Sequence, residues 1–314
     1  MKISQALETL RFYTGTVSDI TGKSVNALFT NPMLVQQLNF ALDEYARTTK
    51  AIEDIHSFVL DTTTSFIDAP SLALRSESYR AILYWVNGRS FPGDMQGFAN
   101  VYSNFPYPTI VGIPTWFMPW GTTNSDRLYV FPTNSTAGHS TTLTGDVSET
   151  DTTLPVVTTA GFLTRNGKVT IGNEKIHYQY VDATNFYGCE RGQEQTSATN
   201  HLNTSTVSEN NVWLFYSRLH TPITCIGNTL SEAMQNKDLE LPEEHIETVL
   251  KYAAYNLIVK VDPTRATSYK TDWVGFLEQA KQDIRKGRSR IKSGRTIRDP
   301  YMNELSISYA PNAF

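Results

Sequence analysis

The sequence predicts an α+β fold: a helical bundle from the N- and C-terminal segments, a central antiparallel β domain, and an inserted small all-β module. Three observations lead there. Apolar residues recur at helical spacing near both ends. Between the ends they alternate, or run in short blocks bounded by turn residues. And 19 of the 39 threonines in this 314-residue chain fall between residues 121 and 210, so the middle is made of different material. The expected parts are 1–54 with 236–298 as helical core and 55–138 with 209–235 as central β domain. Residues 139–208 form the module, and 299–314 an extended C-terminal peptide.

The first helix is expected after Ser4, a plausible cap for Ala6, Leu7 and Leu10. A second starts at Asn31-Pro32, since Asn caps orphan N–H groups and Pro loses no needed donor there. Its stripe is Leu34, Leu38, Ala41, Leu42 and Tyr45. Strands follow at 56–61, 65–68 and 79–86. Asn87-Gly88 predicts a tight turn into residues 89–91. Pro92, Pro106, Pro108, Pro114 and Pro119 mark an extended, irregular stretch. Residues 116–120 and 126–131 read as two more strands.

The Thr-rich block reads as β throughout. Asn166-Gly167 and Gly172-Asn173 are its hairpin signals. Ile176, Tyr178 and Tyr180 alternate with polar residues, which predicts one buried face. A strand at 212–216 closes the β region. Leu241-Pro242-Glu243-Glu244 opens a helix with the stripe Ile246, Val249, Leu250, Ala253 and Leu257, ended by Asp262-Pro263. The last helix is expected from Ser268 or Thr271, with Trp273, Phe276, Leu277, Ala280 and Ile284 on its core face.

Composition excludes several classes. Apolar content of 40% is too high for a disordered chain. No run approaches the roughly 18 to 20 apolar residues of a membrane helix. The N-terminus lacks an apolar core and carries Glu8 early, so no secretion signal is expected. Cys189 and Cys225 form neither a disulfide framework nor a metal pattern.

No catalytic constellation emerges, so the chain is not expected to be an enzyme and no metal or cofactor is implied. Gly22-Lys23-Ser24 lacks the upstream Gly and strand of a phosphate loop and reads as a loop. His56, His139, His177, His201, His220 and His245 show no helical zinc spacing. Cys189 beside His177 or His201 reads as a buried structural Cys. Tyr178, Tyr180, Phe186 and Tyr187 read as core, with sugar stacking as the alternative.

Charge is strongly segregated. Net charge is −4, yet Lys281, Arg285, Lys286, Arg288, Arg290, Lys292, Arg295 and Arg298 stand against one acid, Asp283. Residues 281–298 thus carry +7 and the rest −11. Arg285, Arg288, Lys292 and Arg295 recur at spacings of three, four and three, near one side of a helix. Such a block is either a solvated tail or a site for nucleic acid or an acidic partner. Beyond it Tyr301, Leu305, Ile307, Tyr309 and Phe314 form a β-prone terminal peptide. It either frays or adds a strand to another chain.

The arrangement resembles the head–tail adaptor (connector) proteins of short-tailed phages. Gln37-Leu38-Asn39-Phe40-Ala41-Leu42, the β segments at 66–70 and 79–86, and Gly112-Ile113-Pro114-Thr115-Trp116 carry the resemblance. So do Leu128-Tyr129-Val130-Phe131-Pro132, Leu241-Pro242-Glu243-Glu244 and Lys251-Tyr252-Ala253-Ala254. Together they cover most of residues 1–135 and 210–290. The resemblance implies a structural virion protein at the head–tail junction, assembled in the host cytoplasm. It would form a homo-oligomeric ring, twelvefold by analogy, joining the portal to tail nozzle, tube or fibre proteins. Phage double-stranded DNA would pass through the ring's channel, and no membrane is involved. The basic arm would face portal or DNA, and the terminal peptide would dock on a neighbour. The alternative is a tail or fibre-associated protein whose module binds carbohydrate or protein.

Typical adaptors lack the insertion. Its Leu143-Thr144-Gly145-Asp146-Val147, Ala160-Gly161-Phe162, Ile171-Gly172-Asn173-Glu174, Arg191-Gly192, Thr196, Ala198 and His201 resemble a small β module scattered through phage tail and other virion proteins. That resemblance implies structural roles for Arg191, Gly192 and His201.

Overall fold

The computed structural model describes residues 1–15, 29–63, 65–70, 73, 79–86, 89–96, 101, 111–122, 125–136 and 138–292. Among these, the chain divides into two compact units, residues 1–53 with 217–292, and residues 54–216.

The helical unit holds α1 (Ile3–Thr14), α2 (Asn31–Thr49), α3 (Glu232–Asn236), α4 (Glu243–Ile258) and α5 (Pro263–Lys292). α1 starts one residue before Ser4, and its opening is set by Gln5, whose Oε1 accepts from Lys2 N at 3.1 Å. α2 has Thr30 at its N-cap position with no side-chain capping bond, so Asn31, expected as the cap, is instead the first helical residue, and Pro32 sits in the first turn. Leu34, Leu38, Ala41, Leu42 and Tyr45 are fully buried, as their spacing requires. They pack with Ile246, Val249, Leu250 and Ala253 of α4 and Trp273 of α5 in one core. Asp262-Pro263 opens α5 rather than merely ending α4. Asp262 Oδ1 accepts from Arg265 N at 3.1 Å, and Pro263 takes the first helical position.

The second unit is β-rich. Its central sheet orders as β1-β16-β3-β4-β6-β7-β2. The strands are β1 (Glu53–Phe58), β2 (Phe66–Asp68), β3 (Tyr79–Val86), β4 (Arg89–Met95), β6 (Trp116–Thr122), β7 (Ser125–Phe131) and β16 (Val212–Ser217). Short strands β5 (Val111–Gly112) and β8 (Thr133–Asn134) pair separately. The sheet is mixed rather than antiparallel, because β4 and β6 run parallel. Pro92 and Pro119, expected in irregular chain, sit in β4 and β6. Asn87-Gly88, Pro106 and Pro108 lie outside the described residues, as do Gly22, Lys23 and Ser24. β3 and β4 nevertheless pair in hairpin register, with Val86 opposite Arg89.

Residues 140–209 form a second seven-stranded sheet, with β9 (Ser140–Thr142), β10 (Thr153–Pro155), β11 (Arg165–Ile171) and β12 (Glu174–Val181). β13 (Asn185–Tyr187), β14 (Glu190–Gln193) and β15 (Thr206–Glu209) complete it. The order is β10-β13-β12-β11-β15-β9, with β14 on β12. An isolated bridge, Leu143 to Val156, links the chain just beyond the two outer strands. Leu154, Val169, Ile171, Ile176, Tyr178 and Phe186 fill its own core.

Gly172-Asn173 makes the expected β11–β12 turn, with Gly172 at φ 60°. Asn166-Gly167 does not turn; both lie inside β11. Gly167 is required there because a Cβ would sit 2.0 Å from the Tyr178 hydroxyl on the paired strand. Tyr180 lies beyond the core and is 49% exposed.

The expected class is therefore corrected. The chain is mainly β, with two curled half-barrel sheets and only about 31% helix in five helices among the described residues. It is not a helical bundle with a small β module. The cause is local: turn signals divide residues 139–209 into seven strands, enough to enclose a separate core.

Candidate functional site

Two buried carboxylates organise the β-rich unit. Glu174 follows the Gly172-Asn173 turn and opens β12. Period two places Glu174, Ile176 and Tyr178 on the core face and Lys175 and His177 on the other. A carboxylate buried there must be fully bonded. Arg191 donates Nε to Oε1 and Nη2 to Oε2, each at 2.8 Å. Gly192 N (3.0 Å), Thr199 N (3.1 Å) and His201 Nε2 (2.7 Å) complete the shell. Burial alone would raise the Glu174 pKa. Arg191, His201 and the two backbone N–H groups outweigh that and bring it to about 2.

Four of the residues named in the insertion, Glu174, Arg191, Gly192 and His201, thus meet at one carboxylate. Arg191 also bonds the carbonyls of Thr199 and Ser148. Thr196 Oγ accepts from Lys175 N at 3.0 Å. A Cβ on Gly192 would lie 2.7 Å from Ala198 N, so the turn closes only on glycine. These groups hold a long loop in place.

That loop presents Glu194, at φ 52°, to the first strand of the central sheet. Its side chain is 2% exposed. It accepts from Lys168 Nζ (3.0 Å), Lys175 Nζ (3.1 Å), His177 Nε2 (3.0 Å) and Ser57 Oγ (2.9 Å), and from Ser57 N. Burial again opposes ionisation. His177 and the two lysines overcome it and hold the carboxyl well below its usual range. Lys168 and Lys175 also lie over the Trp213 and Phe58 rings, at 4.9 and 5.1 Å. Lys175 donates to Ser57 O, so both backbone groups of Ser57 end on module side chains. β1 is an edge strand, and this cluster caps its open side.

Sequence reasoning missed the second cluster. Glu194, Lys168, Lys175, His56 and Ser57 come from four separate segments, and no spacing links them. Lys168 and Lys175 did not stand out, because their strands carry other polar and charged residues.

The basic arm lies in α5 and beyond. Lys281 is half-buried and pairs with Glu278 Oε1 at 3.0 Å. Arg285, Lys286, Arg288, Arg290 and Lys292 belong to the helical backbone of α5. Arg295, Arg298, Tyr301, Leu305, Ile307, Tyr309 and Phe314 lie outside the described residues.

Other candidates are dispersed. Burial pushes the Cys189 thiol up to about 12, while His177 bonds Glu194 and His201 bonds Glu174. Tyr178 and Phe186 are core, whereas Tyr180 and Tyr187 stack at 5.0 Å near the surface. Among the described residues no group of three His, Cys, Asp or Glu side chains is placed to hold a metal ion. No described helix is long and apolar enough to cross a membrane. No family model matches the chain, and no curated protein matches it either.

Proposed function

We propose that this chain is a structural virion protein, one subunit of a homo-oligomeric ring that joins a phage portal to the tail. The ring would hold about twelve copies, by analogy with the adaptors the sequence resembles, and would continue the DNA channel. The observation that carries the reading is α5. It runs unbroken for 30 residues, from Pro263 to Lys292. It is anchored along its length by Ala266, Tyr269, Trp273 and Ala280, and beyond Ala280 it bears six of the eight basic residues. A helix of that length spans about 45 Å. It gives the +7 segment a stiff base from which to reach an acidic protein groove or DNA phosphates. The module would offer its loops to tail or fibre proteins.

Binding to portal rings tests this reading, using the full chain and a chain lacking residues 281–314. Attachment of the full chain, lost in the truncated one with its circular dichroism unchanged, is the expected result. Equal attachment of both, or none by either, contradicts it.

A second reading rests on the stacked Tyr180–Tyr187 pair, 17° from parallel, which offers an exposed aromatic face to a sugar ring. Retention of the chain on a glycan array, abolished by Tyr180→Ala, would favour it. Failure on a broad array would dismiss it.

A further inference from the structure

The cluster around Glu194 sets two largely buried lysines on one fully buried carboxylate, and its geometry leaves no place for one more proton. Facing it are Asp54 and His56 from β1, Lys168 from β11, Lys175 and His177 from β12, and Glu194 from the loop. Glu190 of β14 is the register partner of His177. Glu209 pairs with Val169 and so belongs to the opposite face of the sheet. Two lysines therefore share one buried carboxylate.

His56 is the sensitive member. Its Nε2 lies 2.7 Å from Lys175 Nζ, and its Nδ1 3.2 Å. An ammonium can only donate, so the imidazole must accept and must be neutral. Protonated, it would set two cations in contact in a half-dry site. Its edge packs on Phe58 at 4.6 Å, which leaves little room to turn away.

We infer that the junction between the module and β1 is a pH-gated latch. It is closed at neutral pH and loosened in mild acid by protonation of His56, which uncaps the N–H and C=O of Ser57 on the sheet edge.

The linkage has a definite sign. In the closed junction, burial and then Lys175 lower His56 to about 4. In an opened, hydrated junction the ring returns to about 6.5. Between those values only the open form takes the proton, so acid favours opening. From pH 7 to pH 5 the opening equilibrium rises about twentyfold. Glu194 stays ionised in the closed form and largely so in the open one, and over this range it adds less than about 1.5-fold, in the same direction.

Hydrogen exchange of the full chain, corrected for intrinsic rates, tests the latch. At pH 5 the peptides covering 53–58 and 190–200 should open about twentyfold more often than at pH 7. Peptides from β11 and the helical unit should keep their protection. His56→Asn retains an acceptor for Lys175 and should abolish the pH response, whereas His177→Asn should keep it. Equal protection at both pH values, the same response in His56→Asn, or acceleration across the whole chain overturns the latch. Should His56→Asn fail to fold, imidazole NMR of the unaltered chain decides. A His56 signal titrating near 6.5 while both peptides stay protected overturns the proposal. Titration that tracks their opening supports it.

Discussion

Glu174→Gln is a sharp perturbation, because it keeps the shape of the side chain and removes only its charge. Arg191 then remains almost wholly buried, its side chain 6% exposed, facing a neutral amide. Removing one partner of a buried ion pair costs about 3–5 kcal/mol. A second route gives a similar size. The fall of the Glu174 pKa from 4.5 to about 2 corresponds to roughly 3 kcal/mol of stabilisation at neutral pH. The module contains no tryptophan, so amide exchange in β12 is the proper readout. Exchange there should accelerate by about two orders of magnitude, with the helical unit unchanged. The double variant Glu174→Gln with Arg191→Met leaves no unpaired charge at this position, keeps an amide oxygen to accept from the Gly192 and Thr199 N–H groups, and should recover part of the loss. Unchanged exchange in Glu174→Gln, or a double variant as damaged as the single, would refute the reasoning.

Three further outcomes are expected. Glu174 and Glu240 are both depressed to about 2, by Arg191 and Arg218 respectively against the opposing effect of burial. Their stabilisation is complete above about 4.5 and lost as pH falls towards 2, so urea midpoints should drop steeply across that window; a flat profile would contradict it. Gly167→Ala should destabilise by about 1–3 kcal/mol, since its methyl meets the Tyr178 hydroxyl that donates to Leu163 O at 2.8 Å; unchanged thermal melting would show that the ring can move. Cys189 is 4% exposed with its thiol pushed up to about 12, so a thiol reagent at pH 8 should label Cys225 quickly and Cys189 only on unfolding; two equally fast thiols would count against this.

The helices were largely legible. The stripes of α2 and α4 are long and strictly periodic, and every residue named from them is buried. Their boundaries were less so. Asp262-Pro263 carries both a stop and a start signal, and only the packing of Ala266 and Tyr269 decides for the start. Strand positions came through where alternation or turn residues were strong, as in β3 and the β11–β12 hairpin. The weight of β structure did not. Seven short strands in a Thr-rich stretch look modest one at a time, yet together they enclose a core. Asn166-Gly167 misled because a glycine needed for ring clearance reads the same as one needed for a turn.

The site was half visible. Glu174, Arg191, Gly192 and His201 were singled out through resemblance, and their meeting at one carboxylate supplies the physical reason for that set. Glu194 was invisible, since its partners lie 17 to 137 residues away along the chain. Nothing in local pattern encodes a junction between two sheets.

Mass photometry of the full chain, alone and with portal rings, bears most directly on the ring proposal. A closed assembly at about twelve times the 35.3 kDa subunit mass, formed on the portal or free, is the predicted result. A species that stays at 35.3 kDa at every concentration and with the portal present would contradict it.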